Sequence, residues 1–394
     1  MYSFEDINDL NNNFNYKNKN DYDYQLISKT KNKNTEELKF NGINKKDQNI
    51  SIYIKEIKLL SDSNNKYNKY MRILKIIFFL ILLIKYEYLE KVDDMLYLDD
   101  SNGIQRFFFI FKDNSIELSS LIYACNVNKN EDNLMNYLNN KDLIKWIIYQ
   151  ITFGLFTLHK NNIIHNDIKP SNILINCEGG IKICISGSMN YKTENSYLYT
   201  RSYASPEFLN DEFIIRDEKS DMWSLGVIIL ELFLITNNYF KINNEESEDY
   251  KEGNKKQLNY ILSKFSINEN LSKEELNKLI NEDDNSNGKS SIKLTKEEIE
   301  KINDENALEL INNLLVLNKN KRFSAEQVLK SKYLEEHLEC FKQLDLPNLN
   351  NNKYTLDMEK NYNNYFSNPI TNKEQFEKIY NDLLTKLKEL NKSQ

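Results

Sequence analysis

The chain has 394 residues, 40% hydrophobic and 28% charged, with a formal net charge of −7 at pH 7. It is long enough to bury a large core, either as one two-lobed domain with extensions or as two domains. The acidic balance argues against a general nucleic-acid footprint and leaves only a local basic patch open.

Four scattered cysteines (Cys125, Cys177, Cys184, Cys340) and three histidines give no CxxC pair. A zinc site and a disulfide framework are therefore excluded, and reduced intracellular thiols are expected. Residues 1–21 are rich in Asn and Asp without sustained periodicity and read as a disordered arm. They show no charged-then-apolar leader, which argues against a secretory signal.

From Tyr24 the pattern alternates apolar and polar residues, first in Tyr24-Gln-Leu-Ile, then in Glu37-Leu-Lys-Phe, then from Ile50 to Lys55. Three strands are predicted, separated by polar turns. Lys66 to Lys85 predicts a helix, with no acidic residue between Asp62 and Glu87. Its apolar centre, Ile73 to Ile84, spans about a dozen residues and is interrupted by Lys75. A bilayer crossing needs ~20, so a buried core helix is expected and no membrane span.

Met95–Leu98 and Phe107–Phe111 predict two more strands, and a helix should follow from about Ile116. Asp142 to Leu158 is amphipathic, with Leu143, Trp146, Ile147, Ile151 and Leu155 on one face.

It leads into Ile163–Asn172, IIHNDIKPSN, which sets a carboxylate (Asp167), an amine (Lys169) and a carboxamide (Asn172) on one tight loop. Phosphoryl transfer from ATP needs those three types: one to orient the attacking hydroxyl, one to offset phosphoryl charge, and one to hold Mg²⁺. After it come an apolar run, Ile173–Ile175, and a strand, Ile181-Lys-Ile-Cys184.

The loop resembles the catalytic loop H-R-D-x-x-x-x-N of eukaryotic protein kinases, with Asn166 in place of the arginine. Further residues carry the resemblance. Thr200-Arg-Ser-Tyr-Ala-Ser-Pro-Glu207 is similar to the activation-segment ending of Ser/Thr kinases, most of all MAP kinase kinases, although Tyr199 stands where glycine is usual. DEKSDMWSLGVIILEL (Asp217–Leu232) resembles the central helix of the large lobe, and Leu314–Leu329 its closing motif.

The resemblance implies an α+β, bilobal protein-kinase fold over residues 22–338, with an N-lobe over about 22–112 and a C-lobe over about 116–338. Residues 241–306 read as an acidic insertion with clusters near Glu245–Glu248 and Glu282–Asp284, either a docking surface or a solvated loop. Residues 339–394 read as an extension, in which Phe376, Ile379, Leu383, Leu384 and Leu387 predict a helix docked on the lobe or on a partner.

It also implies roles. Asp167 is the candidate base, Lys169 the phosphate contact, and Thr200 the hydroxyl that bonds to both. Lys55, in the place of the V-A-I-K lysine, and Leu174 join Lys169 as nucleotide-binding residues, with the hinge at Lys112–Asn114. Asn172 is the metal ligand. His165, Asp221, Glu207 and Arg322 are structural, with Asp221 holding the loop amides and Arg322 paired with Glu207.

Several positions depart from the pattern. Ile185-Ser186-Gly187 replaces Asp-Phe-Gly, so the second metal-holding carboxylate is an aliphatic side chain. Lys31, Lys33 and Glu36 occupy the glycine positions of the phosphate-covering loop. Tyr70 stands where the regulatory glutamate belongs, with Glu56 and Glu87 as the only nearby substitutes. Asn166 removes the arginine that would receive a phosphate from Ser188, Thr193, Ser196 or Tyr197.

Two readings follow. One is a catalytically impaired pseudokinase acting through a protein partner in signalling. The other is a divergent Ser/Thr kinase using ATP and Mg²⁺ on a protein substrate. Either implies a cytoplasmic or nuclear location.

Overall fold

The computed structural model describes residues 24–31, 37–44, 51–59, 66–84, 86–99, 105–112, 115–127, 138–185, 188–191, 199–210, 217–242, 250–265, 267, 273–281, 292–337 and 373–392. The arm, both acidic clusters, Lys33, Glu36, Ser186, Gly187, Thr193, Ser196, Tyr197 and the hinge residues 113–114 lie outside the described residues. The chain forms two compact units, one of Met1–Lys85, Glu90–Ser115 and Lys353–Gln394, the other of Tyr86–Leu89 and Ile116–Asn352.

In the smaller unit the alternating segments become β1 (Tyr24–Lys31), β2 (Glu37–Asn44) and β3 (Ser51–Leu59). With β4 (Asp94–Asp99) and β5 (Gln105–Lys112) they form one antiparallel sheet, ordered β1-β2-β3-β5-β4. Ile52 and Ile54 of β3 are buried, and the register sets Lys55 opposite Lys39 on one side and Phe109 on the other.

Helix α1 (Lys66–Leu83) contains no carboxylate, and its residues from Ile76 to Leu83 are all buried, as are Ile73, Leu74 and Ile84. A helix apolar on every side needs cover on more than one face. Part of that cover comes from the far end of the chain. The last helix, Lys373–Lys392, packs on α1 and β4 through Phe376, Tyr380, Leu383 and Leu387. Phe376 meets Phe107 edge-on, with ring centroids 5.4 Å apart. Ile379 and Leu384, predicted on the same face, are half-buried. Each fully buried side chain of this kind contributes about 1.5–3 kcal/mol.

The larger unit begins with a short strand, β6 (Ile116–Glu117), which pairs with β8 (Ile173–Ile175) and delays α2 to Leu118–Val127. Helix α3 (Lys141–Lys160) starts where the Asn140 side chain accepts from the amides of Asp142 and Leu143. It is buried from Ile147 to Leu158 and delivers the chain to β7 (Ile163–Ile164) and the loop. Strand β9 (Ile181–Ile183) pairs with β8, and β10 (Asn190–Tyr191) pairs with β7.

Beyond α4 (Pro206–Asn210), helix α5 (Glu218–Leu234) is capped by Asp217 and buried from Ser220 to Phe233. Gly226 lets another helix come close: a Cβ there would lie 2.8 Å from Leu314. Around α5 stand α6 (Tyr250–Lys264), α7 (Lys273–Asn281), α8 (Lys296–Ile302), α9 (Glu305–Leu314) and α10 (Ala325–Leu329). Among the described residues no helix is long and apolar enough to cross a membrane, and Cys125, Cys177 and Cys184 are free thiols.

Candidate catalytic site

The loop between β7 and β8 is fixed from below by one carboxylate. Asp221, in the first turn of α5, accepts from the amides of His165 and Asn166, both at 2.9 Å, and lies 3.0 Å from His159 Nε2. Burial pushes this carboxyl up, but the His159 hydrogen bond and nearby histidines outweigh it and hold Asp221 below its ordinary value. His165 is fully buried, and burial holds its ring below the usual value despite Asp221. A neutral ring suits its contacts, with Nε2 donating to the Cys184 carbonyl at 2.8 Å and Nδ1 accepting from the Asp167 amide at 3.2 Å.

On this frame four polar side chains converge. Thr200 Oγ1 donates to Asp167 Oδ1 at 2.7 Å and accepts from Lys169 Nζ at 2.7 Å. Lys169 Nζ also lies 2.9 Å from Asp167 Oδ2. Asn172 Nδ2 donates to Asp167 Oδ2 at 2.9 Å and to the Asp167 carbonyl at 2.7 Å. Leu174 is buried on β8 beside this cluster in sequence.

Asn166 has a left-handed backbone (φ 67°), which asparagine adopts more readily than most residues. Its Nδ2 donates to the Ser188 carbonyl at 2.9 Å, and Ser188 Oγ donates back to the His165 carbonyl at 2.9 Å. Ser188 is buried, so its hydroxyl serves this contact.

The end of the segment is held just as firmly. Arg322 donates to both Glu207 oxygens at 2.8 and 3.0 Å, and to the carbonyls of Lys219 and Val316. Burial pushes Glu207 up, but the guanidinium outweighs it and holds the carboxyl below its ordinary value. Tyr199 places its ring edge-on to Phe208 and donates to Asn254 Oδ1 of α6 at 2.7 Å, where Arg201 Nε also donates at 3.2 Å. Residues 241–306 thus contribute a packed helix against the segment.

Sequence reading missed Glu231. It is fully buried in α5, accepts from Tyr239 N at 2.7 Å, and lies 3.0 Å from the Tyr203 hydroxyl. Burial pushes its carboxyl up to about 8.

The profile of the protein kinase domain matches residues 95–334, well over half of the chain. The chain belongs to the protein kinase family. Curated relatives agree. The kinase is 41% identical over 108 residues to the dual specificity protein kinase FUZ7 of Mycosarcoma maydis, covering 26% of this chain and 24% of that protein. It is 47% identical over 83 residues to the dual specificity mitogen-activated protein kinase kinase dSOR1 of Drosophila melanogaster, covering 20% of each. It is 29% identical over 151 residues to serine/threonine-protein kinase 4 homolog B of Dictyostelium discoideum, covering 37% of this chain and 14% of that one. The chain thus spans less than a quarter of the length of each of these relatives. Among solved structures, the MAP kinase LmaMPK10 of Leishmania major shares the fold, with a TM-score of 0.63 at 18% identity over 98% of this kinase and 100% of that chain. The α+β, bilobal kinase fold follows.

Lys55 belongs to the smaller unit, the other site residues to the larger. Its partner corrects the sequence reading. Neither Glu56 nor Glu87 is the substitute found: Glu87 is exposed, and the side chain of Glu56, like that of Tyr70, is outside the described set. The partner is Glu90, whose two oxygens accept from Lys55 Nζ at 2.8 and 2.7 Å. The available signal was a carboxylate set between Leu89 and Val92, both buried, since a buried carboxylate calls for a cation.

Kinase chemistry requires Mg²⁺, and the donor set here does not fit it. Ile185, which the resemblance sets at the position of the second ligand, is a buried aliphatic side chain. Asn172 alone supplies an amide oxygen, and both Asp167 oxygens are already engaged. Among the described residues, a cation that demands octahedral oxygen ligation finds too few side-chain donors.

Proposed function

We propose that this kinase-family chain is a pseudokinase of the Ser/Thr type, a signalling protein that works by binding another protein and transfers phosphate weakly or not at all. The observation that carries this reading is Ile185, buried where a metal-bridging carboxylate is needed. Kinase catalysis rests on positioning and charge neutralisation, so loss of one of two metal-holding side chains should cost several orders of magnitude in rate. In this reading Asp167, Lys169, Asn172 and Thr200 act as an architectural knot, and any nucleotide binding through Lys55 or Leu174 is weak. The partner is a protein, met in the cytoplasm or nucleus.

A second reading is favoured by one observation, the complete Asp167–Lys169–Thr200–Asn172 cluster, which leaves a base and a phosphate contact in place for a divergent Ser/Thr kinase using ATP. Thermal unfolding separates the two. A ligand present at a hundredfold over its Kd stabilises by about 2.7 kcal/mol, so bound Mg²⁺·ATP would be visible. The expected result is no shift, with phosphotransfer to a generic protein substrate equal to that of an Asp167→Asn control. Robust transfer that Asp167→Asn abolishes would overturn the pseudokinase reading.

A further inference from the structure

The carboxylate that holds Lys55 does not come from a helix. Glu90 lies in the connection between α1 and β4, and that connection is tied to the sheet. Asp93 N donates to the Ile110 carbonyl at 2.8 Å, and Asp93 Oδ2 accepts from the Lys112 amide at 2.7 Å. Both anchors are on β5, the strand that pairs with β3.

Lys55 is placed as tightly. It is 8% exposed and Glu90 2%, so the ion pair is withdrawn from water. Its Nζ lies 5.1 Å from the Phe111 ring centroid and 5.8 Å from that of Tyr53, two rings stacked at 4.7 Å. The aromatic faces restrict the ammonium from one side while the bidentate carboxylate fixes its direction.

Helix α1 is differently employed. It offers no carboxylate from Lys66 to Leu83, and the last helix packs along it. It therefore has no carboxylate of its own to offer Lys55.

We propose that Glu90 is the positioning residue of Lys55, so that the ammonium is set by a loop pinned to β5 and not by a carboxylate of α1. This rests on Lys55 being the nucleotide lysine, and it replaces control by a movable helix with a permanent contact. A carboxylate within hydrogen-bond distance favours the charged ammonium, and removing it lowers the proton affinity of a buried amine.

The test is acylation of the full-length apo protein by an amine-reactive ester, with Lys55 quantified by mass spectrometry across pH. In Glu90→Gln the Lys55 profile should move to lower pH by roughly one unit or more, which is roughly tenfold faster labelling at about pH 7. Glu87→Gln should superimpose on wild type, and Glu90→Asp, which keeps a carboxylate, should return the profile most of the way to wild type. Superposition of Glu90→Gln on wild type, or an equal shift in Glu87→Gln, overturns the proposal.

If Glu90→Gln does not fold, ¹⁵N spectroscopy of the wild-type lysine ammonium groups reads the same contact. A Lys55 signal protected from exchange supports it, and a rapidly exchanging one overturns it. Metal-free ATP forms a separate arm. Protection of Lys55 from acylation supports the nucleotide reading, and absence of protection sinks that reading while leaving the Glu90 contact in place.

Discussion

The two units meet the kinase pattern in opposite ways. In the larger one the polar contacts that brace the loop and the segment end are present, from Asp221 under the loop to Arg322 on Glu207, and the departure at Ile185 falls on the metal position instead. In the smaller one the antiparallel sheet is kept while its ion pair is drawn from elsewhere: Glu90, in the connection after α1, holds Lys55, and α1 has no carboxylate to do so. The difference follows from what each side chain also does. Asp221 satisfies two buried amides, and Arg322 one buried and one partly buried carbonyl besides its ion pair, so either loss damages the fold itself. Lys55, buried in the sheet, needs a carboxylate, from whichever segment supplies one.

The comparison breaks most sharply at Arg322. Arg322→Leu leaves Glu207 buried without its cation and should cost the larger unit about 3–5 kcal/mol. Hydrogen exchange, read peptide by peptide, should show faster exchange around α4 and α5 while the β1–β5 sheet stays protected. Equal loosening of both units would mean that they do not keep separate accounts of stability. The complementary variant is Phe376→Ala, which opens a cavity against Phe107 and should cost the smaller unit about 3 kcal/mol. Here the β5 and α1 peptides should lose protection, and the α5 peptides should not.

A smaller effect depends on pH. The folded state keeps a proton on Glu231 up to about 8, whereas the unfolded chain releases it near the ordinary carboxylate value of 4.5. The stability that this group contributes is therefore complete below that ordinary value and lost as pH rises towards about 8. Glutamine holds the shape of the protonated acid and does not titrate. The advantage of Glu231→Gln over wild type should grow by roughly 2 kcal/mol between about pH 6 and pH 8 and then level off. Denaturant titrations at several pH values measure it; a gap that stays flat would mean that Glu231 is ionised in the fold.

What could be read from the chain divides along the same line. The catalytic loop was legible because five residue types stand at fixed short spacings, and the strands because alternation is a local signal. The Arg322–Glu207 pair was legible only through the family resemblance, since no local rule joins residues 115 positions apart. Glu90 was not found because an ion pair across 35 positions depends on how a loop returns to the sheet. Glu231 reads as one polar residue in an apolar helix until Tyr203 and Tyr239 are seen beside it. The helix over 374–390 was predicted from its spacing, yet the spacing did not say that its face belongs to α1.

That last contact has a consequence for synthesis. Helix α1 ends at Leu83, and the helix that covers it ends at Lys392, roughly 300 residues later. At ~5–20 residues per second, translation leaves the α1 surface without that partner for on the order of tens of seconds. The smaller unit, whose sheet is synthesised before the larger unit, is therefore completed only after it. During that interval a run of Ile, Leu and Phe is offered to whatever else in the cell binds apolar helices.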